Sequence, residues 1–234
     1  MKTFLKSILP PAIINFLKII NDGLNVFIGN ISFYFTKVEN DFEVVEFRTI
    51  DFTDDFDEKW IFWSRIYEYP IMLKAIKQLK KNHKITNEFI HNTCWGFQDI
   101  HKQFKENLEK DFHEIVNSDI LESTEKNTMV YDITKSAPKN MVNKFDFVIN
   151  VSSIEEIFNN HYKTFRNLFD MVKKGGFLIM TFDLPGLQLS KFEKVFKQKM
   201  QYTDNPISGV NSPIKDLRYL KLKVGFLVVR KVNK

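Results

Sequence analysis

Two aspartates and a glycine stand at the ends of predicted strands, the position at which open α/β sheets bind nucleoside ligands. Gly96 follows the first predicted strand of the main body, Asp119 ends the second and Asp132 ends the third. A glycine at the first turn lets the backbone approach a ligand, and a carboxylate after the second strand accepts hydrogen bonds from ribose hydroxyls. A carboxylate after the third strand is suited to accept a hydrogen bond from an adenine amino group. The spacing therefore predicts a nucleoside or dinucleotide site.

The histidines and the cysteine do not form a metal-binding pattern. His83, His91, His113 and His161 are far apart in sequence, and Cys94 has only His91 near it. Zinc sites are recognised by closely spaced pairs of such ligands, so no metal site is predicted. A single cysteine also excludes an internal disulfide and favours a reducing, cytoplasmic compartment.

The segment from Phe145 to Gly186 is the clearest structural unit, and it predicts a strand, a helix and a second strand. Apolar runs at 147–149 and 177–180 are typical of parallel strands that are buried on both faces. Apolar residues recur between them at helical spacing, namely Ile154, Ile157, Tyr162, Phe165, Leu168, Phe169 and Val172. A right-handed βαβ crossover leaves the polar residues after both strands at one edge of the sheet.

Alternating elements before this unit extend it to a larger sheet. Three further strands are predicted, at 88–91, 113–116 and 128–131, with a helix over about 98–110. The C-terminal LKLKVGFLVVRK predicts a last strand that is antiparallel, at or near one edge. The predicted fold class is therefore α/β, a doubly wound Rossmann-like sheet that is mostly parallel. A helical segment over 58–81, kinked or divided at Pro70, precedes it as a cap.

Composition and charge limit the classes of partner. The chain of 234 residues is 44% hydrophobic, which suffices for one domain with an N-terminal appendage. Its net charge of +5 comes from lysines interleaved with acids, so no nucleic-acid-binding face is predicted. Residues 1–20 are interrupted at Pro10 and Pro11 and predict neither a signal peptide nor a membrane span. The open alternatives are a helix packed on the domain, packed on a second copy in a homodimer, or resting through its lysines on the inner face of a membrane.

The main body resembles the class I S-adenosylmethionine-dependent methyltransferases. FDFVINVSSIEEI is similar to the family's fourth-strand motif, and MVKKGGFLIMTFDLPG is similar to its Lys-Pro-Gly-Gly turn before the fifth strand. Lys173–Gly176 stands in place of that turn, and Glu155 and Glu156 replace a Glu-His pair. The first motif departs from the family, because NTCWGFQDIH has one glycine where the family has Gly-x-Gly-x-Gly. The resemblance covers residues 84–234, and residues 1–83 are the predicted N-terminal helix and cap.

This resemblance implies S-adenosylmethionine as cofactor and a set of residues that hold it. Asp119 would hold the ribose and Asp132 the adenine side, while Asn150 and Val151 would line the methionine end. The turn after the first strand would approach the cofactor through Thr93, Cys94, Trp95 and Gly96.

A second segment, WIFWSRIYEYPIMLKAI, resembles the helix before the core in bacterial methyltransferases that act on sugars and cell-surface glycans. The likeness implies a cap over the methionine end that excludes water, formed by Trp63, Arg65, Tyr67 and Tyr69. The alternative is that Trp63 and Tyr69 only pack the helix and that Arg65 pairs with Glu68.

The candidates for acid–base chemistry are Asp183, His101 and Glu155. Methyl transfer depends mainly on alignment, and an oxygen acceptor also benefits from a base. Asp183, in TFDLPG after the fifth strand, is the first choice for that base. The alternatives are a turn carboxylate for Asp183, a solvated helix position for His101 and a helix N-terminal charge for Glu155. Ser208 and Asn211, in a loop rich in turn formers, are candidates for contact with a hydroxyl-rich substrate.

The predicted function is O-methylation of a sugar, a sugar nucleotide or a cell-surface glycan precursor, within polysaccharide biosynthesis. One alternative is a catalytically inactive relative that serves as a binding or scaffold protein. Another is a nicotinamide-dependent Rossmann oxidoreductase, which the missing Gly-x-Gly-x-x-Gly motif disfavours.

Overall fold

The computed structural model describes residues 41–45, 65–95, 99–123, 127–157, 161–184, 201–202 and 223–232. In chain order its elements are β1 (Phe42–Val44), α1 (Arg65–Asn82), β2 (Phe89–Thr93), α2 (Asp99–Asp111), β3 (Glu114–Asp119), β4 (Thr128–Val130), β5 (Phe145–Val151), a 3₁₀ turn (Ile154–Glu156), α3 (His161–Met171), β6 (Val172–Leu184), β7 (Gln201–Tyr202) and β8 (Lys223–Lys231).

One sheet joins these strands in the order β1-β8-β6-β5-β2-β3-β4, and β7 also pairs with β8. The strands from β6 to β4 in this order pair in parallel. β8 runs antiparallel to β6 and to the two short strands at its other edge. The predicted doubly wound, mostly parallel sheet with an antiparallel last strand is confirmed.

The central strand β5 explains why its sequence is a continuous apolar run. All seven of its residues are buried, because helices cover both faces of the sheet. Phe147 and Ile149 pack with side chains of α1 and α2 on one face. Val148 packs on the other face with Phe165 and Phe169 of α3. Successive side chains therefore enter two separate cores.

The Lys173–Gly176 segment forms a bulge within β6, and the conformation of this bulge depends on its glycines. Phe145 pairs with Val172, but Phe147 pairs with Phe177, so the extra residues bulge between these pairs. Gly175 has φ of +79°, a conformation that glycine adopts without the strain of a side chain. A Cβ on Gly176 would lie 2.7 Å from the carbonyl oxygen of Asp146. This part of the sequence motif thus has a steric cause.

Two details of the predicted elements need correction. Of the two outcomes predicted at Pro70, a kink or a division, the division does not occur, because α1 continues through Pro70; buried neighbours such as Ile71 and Met72 anchor this part of the helix in the core. Val172 begins β6 instead of ending the preceding helix.

The parallel strands end at one edge of the sheet. Since β2, β3, β4, β5 and β6 all run the same way, their carboxyl ends at Thr93, Asp119, Val130, Val151 and Leu184 face the same side. This edge positions the candidate site.

Candidate functional site

Thr93 and Asn150 end β2 and β5, and their side chains bind each other. The Thr93 hydroxyl donates to the carbonyl oxygen of Ile149 at 2.8 Å, and Asn150 Nδ2 donates to Thr93 Oγ1 at 2.9 Å. Both side chains are buried. Among the residues that the structure describes, Asn150 Oδ1 has no hydrogen-bond partner. The pair therefore fixes the spacing of the two strand ends and leaves one buried acceptor beside the turn after β2.

The turn after β2 takes a left-handed conformation at Cys94. Its φ is +53°, a value common for glycine and uncommon for other residues. Cys94 is half-buried, and removal of its thiol from solvent raises the pKa to about 12 against the opposing influence of Ser153 and Asn150. Cys94 is therefore a neutral, unreactive thiol at physiological pH. The next residue, Trp95, is buried, and its backbone N–H donates to the carbonyl oxygen of Ser118.

The carboxylates of Asp119 and Asp132 approach this same turn. Both raise the pKa of Cys94 through their charge, so both lie near the thiol. Asp119 is 9% exposed, and its Oδ1 accepts the N–H of Leu121 at 3.1 Å. The sheet thus places near one turn the two aspartates that are predicted to bind the ribose and the adenine.

Asp132 is held by one neighbouring residue. Its Oδ1 accepts the backbone N–H of Thr134 at 2.9 Å and the hydroxyl of Thr134 at 2.6 Å. These bonds lower the pKa of Asp132. The carboxylate is therefore ionised at neutral pH, and both bonds are made by the same oxygen. The other oxygen, Oδ2, accepts neither of them, which suits a residue that accepts a hydrogen bond from a ligand.

The cap helix α1 joins the end of β5 through Glu68, whose side chain is fully buried. Glu68 Oε2 forms an ion pair with Arg65 Nη1, and Glu68 Oε1 accepts the hydroxyl of Ser152. The predicted alternative pairing of Arg65 with Glu68 is thus confirmed. Burial acts to lower the pKa of Arg65, but its interactions with Glu68, Tyr69 and Asp183 raise the pKa above its ordinary value. Arg65 is a fixed cation beside the end of β6.

Tyr69 connects the cap to α2. Its hydroxyl hydrogen-bonds His101 Nδ1, and its ring stacks on Phe104 with a centroid distance of 4.0 Å and an interplanar angle of 6°. Burial raises the pKa of Tyr69 far above its ordinary value, and Arg65 opposes that rise. Burial also lowers the pKa of His101 to about 4, with a further contribution from Arg65. Both groups are neutral at physiological pH.

Glu155 and Asp183 meet where β5 and β6 end. The backbone N–H of Asp183 donates to Glu155 Oε1 at 2.8 Å. Burial raises the pKa of Glu155 to about 8, against the lowering effect of that bond, and the charges of Glu68 and Asp183 add to the rise. Its other oxygen, Oε2, is buried without a hydrogen-bond partner in the described part of the chain. Glu155 is therefore mostly protonated at pH 7.

Charge interactions link the three predicted acid–base candidates to Arg65, directly or through one neighbour. Asp183 interacts with Arg65 and with Glu155, and His101 interacts with Arg65. His101 also interacts with Asp119, the predicted ribose-binding residue. His101 is therefore close enough to both sets of candidates for their charges to affect its pKa.

Some predicted site residues lie outside the described residues. They are Trp63, Gly96, Ser208, Asn211 and the side chain of Tyr67. The helix predicted within residues 1–20 also lies outside the described residues. Two residues of the site were missed as such. Glu68 precedes Tyr69 and lies one turn after Arg65, so the i, i+3 spacing pointed to the ion pair. Ser152 carried no signal in the sequence, because its role depends on a φ of +39° after β5.

The described residues include neither a metal-binding cluster nor a membrane-spanning helix. They contain no group of three or more His, Cys, Asp or Glu side chains able to hold a metal ion. None of their helices is long and apolar enough to cross a membrane.

Comparison with known proteins identifies the fold. No protein-family model matches the chain, and no curated protein matches it in sequence. Among solved structures, the [4+2]-cyclase SpnF is similar over 76% of this chain and 87% of its own, with 10% identity and a TM-score of 0.51. The CurJ carbon methyltransferase is similar over 78% of this chain and 57% of its own, with 13% identity and a TM-score of 0.51. An S-adenosylmethionine-dependent methyltransferase from Clostridium acetobutylicum ATCC 824 has 12% identity and a TM-score of 0.48, over 77% of this chain and 94% of its own.

The similarities to SpnF and CurJ, together with the strand order, establish a Rossmann-like fold of the methyltransferase type. One similar structure is a cyclase and another is a methyltransferase, so this fold serves more than one reaction. The reaction of this chain has to be argued from its own site.

Proposed function

We propose that this chain, whose sheet has the methyltransferase type of Rossmann-like fold, is an S-adenosylmethionine-dependent methyltransferase that methylates a hydroxyl group. The observation that carries the proposal is the contact of Asp183 with Glu155 at the carboxyl ends of β5 and β6, with Arg65 interacting both with Asp183 and with His101. His101 in turn interacts with Asp119, the carboxylate assigned to the nucleoside. The same edge of the sheet thus offers a carboxylate for a proton and a carboxylate for a nucleoside.

The residues at the ends of β3 and β4 fit the proposed cofactor. Asp119 and Asp132 are carboxylates near one turn. The two hydrogen bonds from Thr134 are both accepted by Asp132 Oδ1, so Oδ2 takes part in neither of them. We assign Asp119 to the ribose hydroxyls and Asp132 to the adenine amino group. Thr93, Cys94 and Trp95 form the adjacent turn, and Asn150 and Val151 the methionine end. When bound, S-adenosylmethionine supplies a methyl group on a sulfonium for an in-line displacement.

Asp183 is the proposed base. A hydroxyl is a poor nucleophile unless its proton is accepted as the new bond forms. Asp183 lies beside the fixed cation Arg65, which favours the ionised carboxylate. Glu155 is mostly protonated and His101 is mostly neutral at pH 7. Asp183 is therefore the member of this cluster that we expect to receive the proton, while the other two make hydrogen bonds.

The proposed acceptor is a sugar, a sugar nucleotide or a cell-surface glycan precursor. Its support is twofold. Glu155 is mostly protonated at pH 7, and its Oε2 has no hydrogen-bond partner in the described part of the chain, so it suits contact with a substrate hydroxyl. The cap helix also carries residues 65–76 of the segment whose sequence resembles the helix before the core of glycan methyltransferases.

The nicotinamide oxidoreductase alternative finds little support in the site. Tyr131 and Lys135 do have the Tyr-x-x-x-Lys spacing of a reductase pair. However, the Tyr131 hydroxyl donates to the carbonyl oxygen of Lys135 at 2.9 Å, and its ring is buried. Burial also raises the pKa of Tyr131 well above its ordinary value. This tyrosine is placed as a structural residue.

A transfer assay tests the proposal. Purified protein is incubated with S-adenosylmethionine that carries a labelled methyl group, together with sugar nucleotides, oligosaccharides and matched amino sugars. The proposal expects label in an ether product of a hydroxylated acceptor, and loss of that product in Asp183→Asn. Label that enters only the amino group of amino sugars would show that oxygen is not the acceptor atom.

A further inference from the structure

Tyr69 is held rigidly between the cap helix and His101. Its hydroxyl meets His101 Nδ1 on one side, and Arg65 donates a hydrogen bond toward the phenolic oxygen on another. Its ring lies flat on Phe104 at 4.0 Å, and the residue is only 2% exposed. The phenol therefore has little freedom to turn away from the imidazole.

These contacts determine where the hydrogens lie. A guanidinium can only donate, so the phenolic oxygen accepts from Arg65. Because an unpaired buried hydroxyl hydrogen is costly, we assign the hydrogen of Tyr69 to the contact with His101 Nδ1, which is then the unprotonated nitrogen. In a neutral imidazole the remaining proton is on Nε2.

We propose that Tyr69 is a positioning residue that fixes His101 as the Nε2–H tautomer, and that Glu68 supports it by holding Arg65. His101 then presents an N–H donor, not a base, close to Arg65 and Asp119. The charged side chains that act on this ring are Arg65 and Glu68 of α1 and Asp119 of β3.

Glu68 extends this arrangement to the end of β5. Because one of its oxygens pairs with Arg65 and the other accepts from Ser152, the position of α1 and the position of the β5 end are linked. A shift of α1 would weaken the hold of Glu68 on Arg65 and then the contact of Tyr69 with His101. Both tautomers of His101 would then be populated. The link to methyl transfer rests on the proposed function, whereas the tautomer does not.

Nuclear magnetic resonance of the imidazole nitrogens tests the proposal in the full chain. Long-range ¹H–¹⁵N correlation spectra of ¹⁵N-labelled protein at pH 7 distinguish a protonated from an unprotonated ring nitrogen, and the His101→Gln variant identifies the signals of His101. We expect a protonated Nε2 and an unprotonated Nδ1 in the wild type. A protonated Nδ1, or an even mixture of tautomers, would overturn the proposal without any variant.

Tyr69→Phe tests whether the hydroxyl is the cause. Phenylalanine keeps the ring that stacks on Phe104, so we expect the fold to be retained and the His101 signals to move to a mixture of tautomers. Tyr131→Phe is the matched control, because it removes a buried hydroxyl that donates to a backbone carbonyl. Unchanged His101 signals in Tyr69→Phe would contradict the role of Tyr69. Glu68→Gln provides a second variant, and we expect it to produce a partial mixture.

Enzyme kinetics separate this proposal from the proposed function. For an active methyltransferase we expect Tyr69→Phe to lower kcat roughly 10- to 100-fold through misplacement of His101, with the KM for S-adenosylmethionine unchanged. A rise of similar size in the KM for S-adenosylmethionine would contradict a positioning role. If the protein binds no S-adenosylmethionine, the proposed function fails, and the nitrogen signals still decide whether Tyr69 fixes the tautomer.

Discussion

The backbone N–H of Asp183 donates to Glu155 Oε1 at 2.8 Å, which ties the end of β6 to the turn after β5. The bond holds two carboxyl groups close together in a region of low exposure. Burial keeps Glu155 mostly protonated at pH 7, which limits the repulsion between the two carboxyl groups. In the proposed function the two groups have different tasks, Asp183 as the base and Glu155 as a hydrogen-bonding group.

Replacement of the proposed base should reduce turnover. In Asp183→Asn the backbone N–H to Glu155 remains, but the side chain no longer accepts a proton. We expect kcat to fall roughly 10²- to 10⁴-fold, as for the loss of a general base, while calorimetric binding of S-adenosylmethionine is unchanged. Asp170→Asn is the control, since Asp170 is on α3 and its side chain is 48% exposed. Equal loss in both variants would contradict the assignment.

The protonation of Glu155 should appear in the pH dependence of stability. Its pKa is raised to about 8 in the folded chain from an ordinary value of 4.5. The folded state therefore holds the proton more strongly, and the stabilising contribution, complete below pH 4.5, is lost as pH rises toward 8. Urea unfolding of wild type and Glu155→Gln across this range should show the wild type losing stability relative to the variant. The exposed neighbour Glu156, as Glu156→Gln, is the control; parallel curves for wild type and Glu155→Gln would contradict the buried, protonated state.

The ribose assignment predicts a selective loss of cofactor affinity. Asp119→Asn removes the charge that strengthens hydrogen bonds to hydroxyl groups, so we expect the dissociation constant for S-adenosylmethionine to rise roughly 10- to 100-fold. The measurement is isothermal titration calorimetry at constant pH. Asp111→Asn, at the distant end of α2 and paired with Lys77, should leave affinity unchanged. Wild-type affinity in Asp119→Asn would show that this carboxylate does not bind the ribose.

The glycine bulge before β6 predicts a defect in stability. A Cβ on Gly176 would lie 2.7 Å from Asp146 O and 3.0 Å from Lys173 O and Phe145 O, all backbone atoms. Gly176→Ala should therefore lower the free energy of unfolding by about 1–3 kcal/mol, the usual cost of overpacking. Chemical denaturation measures this difference. An unchanged midpoint would mean that the strand ends shift easily at this point.

The sheet could be predicted from sequence because its signals are local. The buried runs of β5 and β6, and the helical spacing of α3, each report their own element, and the parallel order then follows from right-handed crossovers. The kink or division expected at Pro70 shows the limit of predicting elements from local sequence alone. Local propensity favours a break, but the buried residues after it, such as Ile71 and Met72, anchor the helix in the core.

The site was predictable as a set of residues and not as a network. Asp119 and Asp132 could be found because strand ends meet at one edge of a parallel sheet. Glu68 and Ser152 join across 84 positions of sequence, and no spacing rule connects such a pair. The protonation of Glu155 and the contact of Tyr69 with His101 likewise depend on burial that arises only when α1 packs against the sheet.

Calorimetric titration of the wild-type chain with S-adenosylmethionine tests the central claim most directly. The account predicts saturable binding with a single site, and tighter binding of the demethylated product, S-adenosylhomocysteine. Absence of heat with S-adenosylmethionine, together with saturable binding of NADH, would contradict it.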